Sequence, residues 1–450
     1  MKTIEDYLRR DAELYPDKVA IICGDQQVTY SELWQQVEHR VAVLAGKFHP
    51  GQVVVMRSSQ SIDFIVTYFA IHLVHAVALP LEQDIPQTAL DQVVERYCRF
   101  TAPDHVADIL FTTGTTGRSK GVMVSHSTIV ADGENLVKAL GFTHDLLFII
   151  CGPINHIGSL SKVYPVVMMG ATLHILEGLK DMSAFFDALA NPHFQRVATF
   201  LVPASIRILL QLASKQLAAM ATRIVFIETG AAPMPHSDME SLCRLLPSTR
   251  LYNTYASTET GIIATHDYSQ PGDGYCREGC LGTPMQHSRF FITDEGHVAC
   301  QGKTLMAGYA DDEALTATVL QNNTVYTADN GRIDDKGRLW LMGRDDDVIN
   351  VGGFKVAPTE VEDAALAFPG VEDCICICDY SPILGNRLKL LLIKQSGAEF
   401  TKKELARHIS ARLETYKVPQ LYEVVTTIRR TFNGKLDRKY YRATKVNNSR

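Results

Sequence analysis

The feature that most constrains the fold is a set of short apolar runs spaced by helical patterns. The segments 146-LLFIICG, 171-ATLHIL, 197-VATFLVP and 223-RIVFIETG read as buried strands, and 204-ASIRILLQLASKQL, between two of them, has helical apolar spacing. Strands alternating with helices predict layered α/β structure with largely parallel sheets. The same alternation begins earlier, with helical patterns over 4–14 and 31–46 and a strand in 52-QVVVMRSS. A buried helix over 64–76 then leads to a strand at Val77–Leu79, which Pro80 is expected to close.

The pattern changes near residue 275. Short strands with Gly turns follow, in 289-RFFITDEGHVACQG and 331-GRIDDKGRLWLMG, the DDKG being a hairpin signal. Beyond 343-GRDDD a compact unit is expected: strand 348–356, helix 359–367, strands 371–379 and 387–394, and helix 401–415. A boundary at Arg344–Asp347 divides a large domain, 1–345, from a small one, 346–450. Three adjacent acids repel unless solvated, so this piece reads as exposed; an ordinary charged turn is the alternative. A length of 450 residues accommodates two to four structural units.

Composition excludes several classes. Apolar residues are 46% and charged residues 21%, an ordinary globular mix. A net charge of −6 gives no global attraction for nucleic acid. No run approaches the ~18 apolar residues of a membrane span, and the charged start MKTIEDYLRRDAELYPDK lacks a secretory apolar region. The 10 cysteines include no CxxC pair, and no His pair has zinc spacing. Cys374, Cys376 and Cys378 alternate along one strand face, which favours a buried thiol stripe over a metal site. The expected compartment is a reducing cytoplasm.

The stretch 108-DILFTTGTTGRSKGVMVSH-126 carries chemistry. Gly114, Gly117 and Gly121 allow backbone turns that expose N–H groups, Thr112, Thr113, Thr115, Thr116 and Ser119 add hydroxyls, and Lys120 adds charge. That set suits phosphate better than a plain surface turn. A Walker loop is excluded, because the lysine precedes the glycine and Val122–Val124 reads as a strand rather than a helix.

FTTGTTGRSKG resembles the phosphate loop of the AMP-forming adenylating enzymes: acyl- and aryl-CoA synthetases, adenylation domains of peptide synthetases, and luciferases. Further motifs follow in the family's order: 153-PINHIG-158, 230-GAAPM-234, 255-YASTE-259, 326-YTADNG-331, 343-GRDDDVINVGGFKVAPTEVE-362 and 430-RTFNGKLDR-438. Ser119 and Arg429 stand where Pro is common, and Ala256 and Ala328 where Gly is usual. Only residues 81–107 separate the Pro80 region from the loop, a shorter interval than is typical, so this resembles a shortened stand-alone member.

The resemblance implies a large domain of layered α/β subdomains with a small β-barrel-like part, and a small mobile α+β C-terminal domain. It implies that the acid is joined to the α-phosphorus of ATP. Thr112, Thr113, Gly114, Thr115, Thr116 and Lys120 would hold the β- and γ-phosphates, Thr258 would meet the α-phosphate, and Glu259 would bind Mg²⁺. Gly230, Ala231 and Ala232 would flank adenine opposite Tyr255, with Asn253 at its edge. Asp329 and Arg344 would bind the ribose. Lys435, which composition alone reads as a solvated charge, would bridge the acyl carboxylate and the α-phosphate. Asp346 would be the hinge about which the small domain rotates, bringing Lys355 to the thiol.

Amino-acid-activating relatives carry an Asp near residue 156, and 154–157 holds no carboxylate, so a fatty or aryl carboxylic acid is expected. His156 reads equally as a gate of the acyl tunnel and as a packed core histidine. Coenzyme A is the expected acceptor, and the phosphopantetheine of a carrier protein acting in trans is the alternative. A non-catalytic acyl-nucleotide-binding protein is disfavoured by Glu259, Asp329, Arg344 and Lys435. No nucleic acid or integral membrane segment is expected, and homodimerisation is left open.

Overall fold

The computed structural model describes residues 2–441 apart from 113–119, 273–274, 278, 345–346, 348, 352–353, 382–384, 414, 432–435 and 439; the side chains of 344, 350, 354–355, 381 and 385 are likewise not described. Among the described residues the largest sheet has 14 strands. Its parallel part runs through Ile224–Gly230, Arg196–Phe200, Leu146–Ile150 and Thr172–Ile175 to Val19–Cys23. On the other side Arg250–Ser257 pairs parallel with Ile224–Gly230, and Gly261–Asp267 then pairs antiparallel. The strands after residue 275 extend this antiparallel part as hairpins, including 288–292 with 297–302 and 324–333 with 339–344.

A second sheet has five strands, in the order Gly308–Tyr309, Lys120–Ser125, Val106–Thr112, Val77–Leu81 and Val53–Arg57. The helix Ile62–Leu73 belongs to the main core, and Phe64, Ile65, Tyr68, Phe69 and Ile71 are buried. Near-complete burial explains its continuous apolar sequence. The two strands expected to flank the threonine loop are present: Val106–Thr112 and Lys120–Ser125 pair antiparallel, with Thr112 opposite Lys120. The interval 81–107 carries one helix, Gln87–Tyr97.

The C-terminal unit packs the helices Pro358–Leu366 and Lys402–Ser410 on a three-stranded sheet of Val371–Ser381, Gly385–Lys394 and Leu421–Val424. Cys374 and Cys376 are buried in this core, and all ten cysteines are free thiols. Burial pushes the Cys374 thiol well up. The unit rests on the large domain through Arg207, which pairs with Asp238 at 3.0 Å and reaches Asp373 at 3.7 Å.

Four sequence expectations are corrected. Pro80 lies inside the strand Val77–Leu81, opposite Met56. Val77 donates to Gln52 on the Val53–Arg57 side. By alternation, position 80 faces the other neighbour, which pairs only at Ala78, so the missing N–H breaks no ladder bond. The strand expected over 348–356 is two short antiparallel strands, Ile349–Val351 and Phe354–Val356. The helix expected over 401–415 runs from Lys402 to Ser410, started by a Thr401–Glu404 capping box. The helical run from 204 breaks at Ala213 into Pro203–Leu212 and Ser214–Ala219.

Candidate active site

The carboxyl ends of the parallel strands meet the first antiparallel turn at Ser257–Gly261. Crevices at such strand ends are where α/β sheets place ligands. The turn is closed reciprocally: Ser257 N–H donates to the Thr260 hydroxyl and Thr260 N–H to the Ser257 hydroxyl, each at 3.1 Å. Gly261 has φ +65°, and a Cβ there would lie 2.4 Å from the Thr304 carbonyl oxygen. Only glycine fits, so Thr258 and Glu259 sit at the tip of a turn with little freedom.

Tyr309 ties this turn to the threonine loop. Its hydroxyl donates to Glu259 Oε1 at 3.0 Å, and its ring centroid lies 5.4 Å from Lys120 Nζ. Tyr309 is held by pairing of Gly308–Tyr309 with Met123 and Val122, just beyond Lys120. Met306 N–H also donates to the Glu259 carbonyl at 2.9 Å. The fold therefore joins Lys120, Tyr309 and Glu259, which are far apart in sequence. The sequence reading missed Tyr309, because a two-residue strand carries no periodicity. Thr113, Gly114, Thr115 and Thr116 lie outside the described residues.

Gly230 pairs with Thr254, so Gly230 and Ala231 adjoin the strand that bears Asn253 and Tyr255. Ala231 adopts φ +67°, an unfavourable value for a residue with a Cβ, and Ala232 follows it. Asn253 is buried. Tyr255 is buried among Val122, Ile263 and Leu281, and its hydroxyl donates to Asp329 Oδ2. Burial and the Asp329 charge hold the phenol well above its ordinary pKa, so it remains a donor. Asp329 lies opposite Arg344 in the hairpin of 324–333 and 339–344. The two residues expected to bind ribose are thus neighbours on paired strands.

The turn 153–158 is pinned by Gln60, whose Nε2 donates to the Gly152 and Leu176 carbonyls while its Oε1 accepts from Ile154 N–H. His156 precedes the helix Ile157–Leu160, and its Nε2 is 3.9 Å from Glu82 Oε1. This qualifies the sequence expectation: 154–157 itself holds no carboxylate, but a distant segment supplies one. Burial, with the Asp84 charge, raises the Glu82 pKa.

Asp132 underlies the same region. Its Oδ1 accepts from Ile262 N–H at 2.8 Å. Burial pushes its carboxyl up to about 8, against the lowering effects of that amide and of the Lys162 charge. The neutral acid is favoured in the folded state. Stability from this group is therefore full below the unfolded pKa of ~4 and is lost as pH rises toward 8. Asp132→Asn is expected to reduce the drop in urea midpoint between pH 5 and pH 8.5; an undiminished drop would refute the assignment.

Lys435 and Asp346 lie outside the described residues, as does the side chain of Lys355, whose strand Phe354–Val356 is present. The base of the segment bearing Lys435 is defined. Arg430 bridges Leu436, Arg430 pairs with Asp373 at 2.6 Å, and Arg438 pairs with buried Glu362 at 2.6 Å.

A family model described as "AMP-binding enzyme" matches residues 8–98 and 96–310, and one described as "AMP-binding enzyme C-terminal domain" matches 360–435. The chain belongs to the AMP-binding enzyme family. This AMP-binding enzyme is 25% identical over 362 residues to 4-coumarate–CoA ligase 3 of Oryza sativa subsp. japonica, an alignment covering 76% of this chain and 64% of that protein. It is 29% identical over 346 residues to 2-succinylbenzoate–CoA ligase of Staphylococcus aureus strain JH9, covering 75% and 67%. The chain thus spans about two thirds of the length of the curated relatives it matches. Its fold is that of ATP-bound MatB from Rhodopseudomonas palustris, with TM-score 0.88, 22% identity and 100% of both chains covered. It is also that of MenE, the o-succinylbenzoate CoA synthetase of Bacillus subtilis, in complex with the acyl-adenylate OSB-AMP, with TM-score 0.82, 21% identity and 97% of both chains covered. Among the described residues no helix is long and apolar enough to cross a membrane.

Proposed function

We propose that the chain is an ATP-dependent, AMP-forming ligase that adenylates a fatty or aryl carboxylic acid and passes the acyl group to coenzyme A. The observation that carries this reading is the convergence of Lys120 and Glu259 on Tyr309, together with the pairing of Asp329 with Arg344. Tyr309 links Lys120, which follows the threonine loop in sequence, to an oriented carboxylate, and the two residues proposed for the ribose are paired.

In the first half-reaction a carboxylate oxygen of the acid attacks the α-phosphorus, and the bond to the β-phosphate oxygen breaks to release pyrophosphate. Lys120 and the threonine loop hold the leaving group, Thr258 meets the α-phosphate, and Lys435 offsets the charge that gathers between the two anions. Glu259 fits a hard divalent cation: it is half-buried, and its Oε1 is oriented by Tyr309. Bound Mg²⁺ would neutralise phosphate charge. Gly230, Ala231, Ala232, Asn253 and Tyr255 take the adenine, and Asp329 with Arg344 the ribose. In the second half-reaction the thiol sulfur attacks the acyl carbonyl carbon, AMP leaves, and the thiol proton goes to solvent. Asp346 is the proposed hinge, with Lys355 brought to the thiol.

The CoA-ligase names of the relatives support coenzyme A as acceptor. A carrier phosphopantetheine acting in trans is the alternative acceptor for the same adenylate. A cytoplasmic setting suits use of ATP and free coenzyme A. ATP–pyrophosphate exchange over fatty, aryl and amino acids, followed by coenzyme A, tests the proposal. Exchange driven by a fatty or aryl acid and consumption of the adenylate by coenzyme A are expected; exchange with amino acids alone would overturn the substrate class. Tyr309→Phe removes one hydrogen bond to a carboxylate, so the KM for Mg-ATP should rise about tenfold, measured at saturating acid; an unchanged KM would detach Tyr309 from the nucleotide site.

A further inference from the structure

We propose that Glu5, His72 and His126 form a second, structural site for a divalent transition metal of the zinc class, separate from the nucleotide crevice. One ligand atom from each of the three lies within 4.8 Å of the others. They come from different helices: Glu5 from Ile4–Leu14, His72 from Ile62–Leu73, and His126 from the first position of His126–Leu136. The Glu5 and His72 side chains are almost completely buried. Two imidazoles and a carboxylate are a common ligand set for Zn²⁺, with water completing the tetrahedron.

Two observations favour a metal over a plain ion network. First, His72 is oriented as metal-ligating histidines are. Its Nε2 faces Asp108 Oδ1 at 3.0 Å, and Tyr68 donates to the other Asp108 oxygen at 2.9 Å. A carboxylate behind one ring nitrogen fixes the tautomer and presents the other nitrogen as ligand. That other nitrogen, Nδ1, is 2.7 Å from Glu5 Oε1.

Second, His126 takes no part in this network. Its ring stands edge-on to that of His72, with centroids 5.2 Å apart, and its Nδ1 is buried with no hydrogen-bond partner among the described residues. A buried ring nitrogen without a partner is unfavourable, and a metal ion bound through it would satisfy it.

Coordination through His72 Nδ1 releases the proton shared with Glu5 to solvent. Tetrahedral bonds of ~2.0–2.2 Å place ligand atoms roughly 3.3–3.5 Å apart, so side-chain shifts of about an ångström suffice.

The position suggests its use. Asp108 lies on the strand that ends at Thr112, and His126 directly follows the strand that begins at Lys120. A metal here would clamp the N-terminal helix onto the stem of the threonine loop.

The test uses the full chain, stripped with chelator and titrated with Co²⁺ and Zn²⁺. One equivalent of Co²⁺ should bind, with tetrahedral d–d absorption and no thiolate charge-transfer band, and Zn²⁺ should raise Tm. His126→Ala spares the His72 ion pairs and should fold; it should weaken Co²⁺ binding by at least ~10²-fold and abolish the Tm response. Glu5→Gln provides a second variant. Unchanged stoichiometry in His126→Ala, a thiolate band, or no bound metal in the wild-type chain would overturn the proposal and leave a buried ion network.

Discussion

Lys435→Ala is expected to lower ATP–pyrophosphate exchange by a factor of ~10² or more, while the rate of thioester formation from supplied acyl-adenylate falls far less. Adenylation brings a carboxylate onto a triphosphate, so charge accumulates between two anions. A cation aimed at that point acts chiefly in the transition state, and its loss appears in kcat more than in KM. The flanks of the loop suit such a task. The Arg430–Leu436 bridge and the pairs Arg430–Asp373 and Arg438–Glu362 fix both ends to the C-terminal sheet and helix. The flanks of Lys435 are thus held by the small domain. The contrast between the half-reactions is the decisive readout: an equal loss in both would show a structural role, and no loss in exchange would remove Lys435 from catalysis.

Lys162→Met is expected to destabilise the large domain by about 3–5 kcal/mol. Lys162 and Glu228 form a 2.7 Å ion pair in which both side chains are almost fully buried, 2% and 0% exposed. Lys162 Nζ also lies 4.9 Å from the centre of the Phe200 ring, which packs close to Gly158 and Gly230. Removing the lysine leaves the Glu228 carboxylate in an apolar interior, with Oε2 already lacking a partner among the described residues. The double variant Lys162→Met/Glu228→Leu removes both charges and should recover most of the loss. Urea unfolding of the single and double variants measures this. A single variant as stable as the wild type would mean that water reaches Glu228.

The chemistry-bearing stretches were legible because they are local. Glycines, threonines and a lysine between two apolar runs specify a strand–loop–strand, and Thr112 does pair opposite Lys120. The alternation of apolar runs specified the parallel sheet for the same reason: period and spacing are properties of neighbouring residues. Local pattern failed where a neighbour decides. Pro80 reads as a strand end, yet it is tolerated inside the strand because its missing N–H points where no ladder bond forms. The run 348–356 reads as one strand, but it forms two short strands paired with each other.

Sequence alone determined the alternation of strands and helices and proposed residues for phosphate, adenine and ribose. Tertiary structure alone decided which distant groups share a space: Tyr309 on Glu259, Tyr255 on Asp329, Glu82 beside His156, and His72 between Glu5 and Asp108. These pairings bury or juxtapose charge across large sequence separations. Their energies depend on burial and distance, which no local periodicity encodes. Sequence spacing offered no His pair for a metal, and only the packing of three helices brings His72 and His126 to one carboxylate.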